Sequence, residues 1–176
     1  MVNLNIFCSL IFSFFTLFFY AQTQEPSNKS IVLKATIDFT TLSVEGFVPA
    51  TNKGGRKVLS VNAGKYKDKY AAAQSIFTGA SGSYDIAINT LKEFDGESTY
   101  RIRIDGKLVG EYQNPRTDKD GDFSPAGTTF KNINVEKGDI VQVEFNSHTN
   151  GLIPEHGGTA YARGRWSSLV FNAVIQ

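Results

Sequence analysis

The residues best suited to chemistry lie in one segment, His148–Trp166, reading HTNGLIPEHGGTAYARGRW. It brings together both histidines of the chain, Arg163, Arg165, Glu155, Asn150, Tyr161 and the sole tryptophan, Trp166. Such a mixture suits recognition of a sugar. Aromatic faces stack on the C–H faces of a pyranose, while Arg, Asn and Glu make paired hydrogen bonds to neighbouring hydroxyls. Arg163 and Arg165 stand two residues apart, so on an extended strand they point the same way. Two parallel guanidinium groups would suit bidentate recognition of a uronate carboxylate or a sulfate ester, hence an acidic polysaccharide. The plainer alternative is a long loop pinned by its own polar contacts, with Trp166 in the core and one arginine paired to Glu155 or Asp122.

Other constellations carry less. His148, Glu155 and His156 could form a metal or acid–base set, but the spacing matches no ligand pattern, and ordinary loop histidines are expected. TDKDGD places Asp118, Asp120 and Asp122 at alternate positions, a cluster that can wrap calcium with oxygen ligands. Its glycine falls at the fourth position and no glutamate closes the loop as an EF-hand requires. A solvated turn is the expectation, with a calcium site at these three residues as the alternative. FDGEST, with Asp95 and Glu97, reads as a polar turn. For catalysis, glycoside hydrolysis needs two carboxylates about 5–10 Å apart in a cleft, and the acids here fall mostly in turns or on outward strand positions, as Glu144 does. No G-x-S-x-G elbow or H-E-x-x-H helix is present. A lyase using His148, Tyr161 and Arg163 is the sharpest enzymatic alternative; the expectation is no enzyme.

The first 30 positions stand apart from the rest of the chain. Ile6–Tyr20 is almost wholly apolar, and the polar run AQTQEPSNKS follows. About 15 apolar residues fall short of the roughly 20 that span a bilayer but suit a signal-peptide core. Residues 1–21 are therefore expected to be a signal peptide, 22–30 a short polar leader and 31–176 one domain. That places the mature chain outside the cell, in the periplasm or at the cell surface. No Lys or Arg precedes the apolar run, which leaves a retained anchor as the alternative. The single cysteine, Cys8, lies inside this segment, so the mature chain would have no disulfide and no thiol chemistry. A formal charge of +1 implies neither a nucleic acid nor an acidic membrane surface as partner.

From Ile31 onward the pattern is that of strands. Tyr84, Ile86 and Ile88 alternate with polar or small residues, as do Tyr100, Ile102 and Ile104, then Val141, Val143 and Phe145. AAAQS, at 71–75, reads as a strand despite its helix-friendly composition. Asp105–Gly106, between two alternating runs, predicts a type I′ hairpin turn, and EKGD at 136–139 predicts a second turn. Two long polar segments, Gln113–Gly127 and Asn146–Arg165, interrupt the pattern and are of a length that is usually functional. The fold class is all-β, an antiparallel β-sandwich.

The run SGSYDIAINTLKEFDGESTYRIRIDGKLVGEY, then TFKNINVEKGDIVQVEFNS, then RGRWSSLVF, resembles the β-jelly-roll carbohydrate-binding modules of families 6 and 35. Ser81–Ile88, Tyr100–Gly106, Gly138–Phe145 and Trp166–Phe171 fill that pattern's strand slots in order. ATIDFTTLSVEGF would be the opening strand, and KYKDKYAAAQSIF would precede the strand at Tyr84. The resemblance implies two sheets of four or five strands and a sugar site in the loops at one end. It implies a first aromatic from Tyr66 or Tyr70, a second from Tyr161 or Trp166, and Arg165 in the polar slot. It also implies a structural calcium held by acids of the opening and last strands. Asp38 could be the first, but Ser167 and Ser168 stand where the second is expected. The expected function is a secreted, non-catalytic domain that binds a polysaccharide, with any glycan-degrading enzyme on a separate polypeptide. The alternatives are a polysaccharide lyase or hydrolase on the same fold and a structural or adhesive surface domain.

Overall fold

Residues of alternating polarity bury alternate side chains only if a second layer covers them, and here two antiparallel sheets cover each other. The computed structural model describes residues 30–42, 48–51, 56–121 and 123–175. The expected signal peptide, most of the leader and Asp122 lie outside the described residues. In chain order the elements are β1 (Ile31–Lys34), α1 (Ala35–Asp38), β2 (Thr40–Thr41), β3 (Val48–Thr51), β4 (Lys57–Ser60), β5 (Tyr70–Ile76) and β6 (Gly82–Leu91). There follow β7 (Thr99–Ile104), β8 (Lys107–Gln113), β9 (Pro125–Val135), β10 (Ile140–Asn146), β11 (Pro154–Glu155), β12 (Gly158–Thr159) and β13 (Trp166–Ala173).

The first sheet runs β3-β4-β13-β6-β9, with β1 also paired to β13; the second runs β2-β5-β10-β7-β8. With six and five strands, the first sheet has one more than the resemblance implied. The chain is an antiparallel jelly-roll sandwich, as expected from its alternation. Tyr84, Ile86 and Ile88 of the first sheet, and Tyr100, Ile102, Val141, Val143 and Phe145 of the second, are buried between the layers. Burying one such side chain contributes about 1.5–3 kcal/mol. Among the described residues no helix is long and apolar enough to cross a membrane.

The turns follow the residues that demanded them. Asp105 and Gly106 take φ of 46° and 79°, and Ile104 pairs with Lys107, the geometry of a two-residue type I′ turn. At 136–139, the Asp139 N–H donates to the Glu136 carbonyl at 3.1 Å, and the Asp139 carboxylate accepts the Glu136 N–H at 2.8 Å. The opening segment corrects the expectation. Ala35–Asp38 forms one helical turn, and the strand that joins the first sheet is the preceding Ile31–Lys34. Thr40–Thr41 then crosses to the second sheet. The helical turn buries Ala35 while Ile37 stays 65% exposed, so this stretch does not bury alternate residues as a strand would.

The registers put the long connections at one end. Trp166 pairs with both Thr90 and Leu59, Phe145 with Tyr100, and Thr99 with Gln113. The segments 61–69, 92–98, 114–124 and 147–165 therefore leave the sandwich together. Beneath them Trp166 is fully buried, edge-on to Phe39 at 4.9 Å and to Phe145 at 5.8 Å. A second aromatic cluster, Phe77, Tyr84 and Phe171, fills the opposite end.

Candidate functional site

The loop end is organised around a carboxylate that the sequence did not single out, Glu93, one residue before FDGEST. Glu93 is 1% exposed. It accepts the backbone N–H groups of Arg163 at 3.0 Å and Arg165 at 3.1 Å, and forms an ion pair with the Arg165 guanidinium. A buried carboxylate is tolerated only when its lone pairs are filled, and these three donors fill them. The consequence is mechanical: the 163–165 segment is fixed against the 92–98 loop. Tyr100 Oη adds to the floor by donating to the Arg165 carbonyl at 3.1 Å while accepting from Asn114 Nδ2 at 3.2 Å.

Asn150 and His148 tie the long loop to the same segment. Asn150 Nδ2 donates to the Phe94 carbonyl at 2.9 Å, and its Oδ1 accepts the Leu152 N–H at 3.0 Å. His148 Nδ1 accepts the Glu97 N–H at 3.1 Å, and its backbone bridges to Ala162. Gly96 is required at this seam, because a Cβ there would lie 2.1 Å from the His148 carbonyl oxygen. Within the long loop, β11 and β12 form a hairpin whose central residues, His156 and Gly157, have φ of 47° and 80°. Histidine is among the residues enriched at positive φ. His156 is thus a turn residue, as an ordinary loop histidine would be.

What remains open is a small cleft of about 70 Å³ lined by Lys67, Asp95, Glu155, Tyr161 and Arg163, with Ala63 and Gly64 at its back. Tyr161 Oη donates to Asp68 Oδ2 at 3.1 Å, and Lys67 Nζ sits 5.2 Å from its ring centre. Arg163 is exposed and forms no ion pair among the described residues. Burial raises the Asp95 carboxyl above its usual value and the Glu155 charge adds to this, against the opposing arginines 165 and 163. Oδ1 of Asp95 is buried with no hydrogen-bond partner among the described residues. The cleft offers an aromatic face, two cations and two carboxyl groups. It can take the hydroxylated edge of a ligand, with a volume equal to roughly two waters.

The structure thus brings together Tyr161, Arg163 and Glu155 and removes several expected partners. Trp166 is a core residue, sealed between the sheets, and offers no surface to a ligand. Arg165 is 8% exposed and engaged by Glu93, so the parallel guanidinium pair expected with Arg163 does not exist. Arg165 is paired to Glu93 and not to Glu155, while Asp122 lies outside the described residues. Asn150 spends both its polar atoms on backbone groups, and His148 Nδ1 is taken by the Glu97 N–H. Tyr66 packs half-buried against the core. Tyr70 lies on the outer face of the second sheet with the Arg101 guanidinium 4.6 Å above its ring. Lys67 and Asp95 were missed; the acids Glu93, Asp95 and Glu97 at alternate positions were the signal that could have found the second.

Of the three residues proposed for calcium, Asp122 lies outside the described residues. Asp118 is exposed and ion-paired to Arg116 at 2.8 Å, and Asp120 is exposed. Among the described residues no group of three or more His, Cys, Asp or Glu could hold a metal. Asp38 Oδ2 accepts the Lys34 N–H at 2.6 Å and lines a groove with Gln74 and Ile140. Ser167 and Ser168 line another, together with Lys34, Arg56 and Lys57. The two halves of the implied site therefore face different grooves, and one of these is cationic.

No protein-family model matches the chain. Among curated proteins, uncharacterized protein P23 of Formosa agariphila is 32% identical over 161 residues, 89% of this chain; the chain spans 37% of that protein's length. Among solved structures, a family 6 carbohydrate-binding module from Clostridium cellulolyticum, in complex with xylose, superposes with a TM-score of 0.55 at 14% identity. That match covers 81% of this chain and 96% of the module. The CBM36-1 domain of a multidomain xylanase from the hindgut metagenome of Trinervitermes trinervoides gives 0.53 at 16% identity, covering 84% of this chain and all of that domain. The fold is the jelly roll of these modules, as the sequence resemblance implied.

Proposed function

We propose that this chain is an exported, non-catalytic domain that binds a polysaccharide at the loop-end cleft. The observation carrying the reading is the juxtaposition of a half-exposed Tyr161 with an exposed Arg163, free of ion pairs among the described residues, and the Asp95 and Glu155 carboxyl groups, on a segment that Glu93 holds in place. A frame fixed before binding spares the entropy of ordering it afterwards. The cleft carries Lys67 and Arg163 against Asp95 and Glu155, so its charges balance and the matching ligand is a neutral sugar presenting adjacent hydroxyls. The fold shared with carbohydrate-binding modules supports the same reading. His148 Nδ1 is engaged by the Glu97 N–H and His148 does not line the cleft, which favours a binding role over a lyase. Calcium has no part in the proposal.

The test is affinity electrophoresis of the domain through gels containing neutral polysaccharides, with and without a chelator. Retardation by at least one glycan is expected, unchanged by the chelator, and weakened about tenfold by Arg163→Ala or Tyr161→Ala, as for loss of a hydrogen bond to a charged group or of a stacking face. Retardation by none, or shortening of the glycan in the gel, would overturn the reading.

A further inference from the structure

The outer face of the first sheet carries cations with no acidic partner among the described residues. Lys34, Arg56 and Lys57 border a groove of about 510 Å³. All three are exposed, and none forms an ion pair among the described residues. Among the described residues no carboxylate lines the groove; Asp38, close by in sequence, is held by the Lys34 backbone and lines a different one. Elsewhere on the sheets Arg101 is matched with Glu111, Arg103 with Glu144 and Lys131 with Asp85, while Lys107 of β8 stands alone among the described residues.

The floor of this groove is made by an irregularity in β13. The register against β6 shifts between Trp166 and Ser168, and a bulge of this kind re-aims side chains. Trp166 and Leu169 both stay buried, so the two residues between them, Ser167 and Ser168, turn outward in succession into the groove. Asn89 Nδ2 then donates to Ser168 Oγ at 3.0 Å. Beyond Asn89 lies a second depression of about 270 Å³, over Gly127 and Thr128 of β9. With strands about 4.8 Å apart, the path from β4 across β13 and β6 to β9 runs on the order of 14 Å. It is cationic at one end; along the rest the hydroxyl and amide groups of Ser167, Ser168 and Asn89 lie beside apolar side chains such as Val32 and Ile37.

We infer that this face binds an anionic polysaccharide, the Lys34, Arg56 and Lys57 cations pairing with sulfate or carboxylate groups while Ser167, Ser168 and Asn89 meet the sugar hydroxyls. Sulfate esters and uronate carboxylates share the planar or trigonal oxygen pattern that a guanidinium reads bidentately. The groove is open and its cations are spread along a rim, so one small anion gains little and a chain with repeated charges gains most. Neither depression has an aromatic residue on which a base could stack, which disfavours a nucleic acid. The site is separate from the loop-end cleft and stands or falls without it.

The experiment uses the full chain and a triple variant, Lys34→Glu/Arg56→Glu/Lys57→Glu, in gels containing a sulfated galactan or polygalacturonate at low salt. Retardation of the wild type by either polymer, reduced about tenfold or more in the triple variant and unaffected by Arg163→Ala, supports the inference. Retardation by the galactan alone identifies sulfate, and by polygalacturonate alone identifies carboxylate. Retention of neutral-glycan binding, or an unchanged circular dichroism spectrum, shows the variant to be folded. Absence of retardation by both polymers, equal retardation of a folded triple variant, or tighter binding to a DNA duplex than to either polymer would overturn it.

Discussion

The loop end and the outer face of the second sheet use the same pairing, arginine with glutamate, for opposite ends. On the sheet face, Arg101–Glu111 and Arg103–Glu144 lie in contact with solvent, with side chains between 20% and 51% exposed. Pairs of this kind contribute about 0–1 kcal/mol, because water competes for both partners. At the loop end, Glu93 is wholly enclosed and Arg165 nearly so. There the pair is costly to assemble and costlier to leave half-made, since the remaining charge has no water to turn to. The first pair type decorates a surface, while the second decides where the Tyr161–Arg163 segment stands.

The largest expected effect follows directly. Glu93→Ala strips the buried Arg165 of its partner and orphans two backbone N–H groups, and should lower the unfolding free energy by about 3–5 kcal/mol in denaturant titration. Sugar binding should weaken as well, because the cleft loses its frame. A loss below about 1 kcal/mol would place Glu93 with the surface pairs and erase the contrast. The Arg163→Ala substitution in the same segment should weaken sugar binding about tenfold while leaving stability unchanged within about 0.5 kcal/mol, as for a surface side chain.

The same contrast explains what could be read from the sequence. The strands around Tyr84, Tyr100 and Val141 were legible because a buried sheet face writes a period of two into the chain, and Asp105–Gly106 because few residue pairs tolerate two positive φ values. Tyr161 and Arg163 were legible as an unusual loop composition. Glu93 was not, because a buried ion pair is a long-range property: its partner lies 72 residues away, and no local pattern distinguishes it from a solvated acid such as Asp118. Arg165 was misread for the same reason, being identical to Arg163 in type and two positions along. The helical turn at Ala35–Asp38 escaped because alternation over four residues cannot separate it from a strand.

A smaller effect tests the carboxyl beside that frame. Burial holds the Asp95 carboxyl above its ordinary value, so as pH falls the folded chain takes up this proton before the unfolded chain does. Its contribution to stability therefore grows on acidification through the carboxylate range and is lost as pH rises through it. Asp95→Asn has no such charge to bury. Its Tm should exceed that of the wild type by about 1–2 °C at neutral pH, with the gap closing towards about pH 4. A variant less stable than wild type at neutral pH would mean that the ionised carboxylate is well compensated in the fold.

The last test returns to the second sheet. Glu111→Gln with Glu144→Gln removes both acids that neutralise Arg101 and Arg103, and should alter stability by no more than about 1 kcal/mol. If the absence of partners is what makes the Lys34–Arg56–Lys57 face a binder of anionic chains, releasing two arginines should give the second sheet a measurable, salt-sensitive attraction for the same sulfated galactan. The new attraction should stay weaker than that of the first sheet, because Arg101 remains stacked on Tyr70 and Arg103 still donates to the Gly106 carbonyl at 3.1 Å. Retardation equal to that of the first sheet's face would mean that charge alone suffices. In that case the outward serines of the β13 bulge would add nothing to recognition.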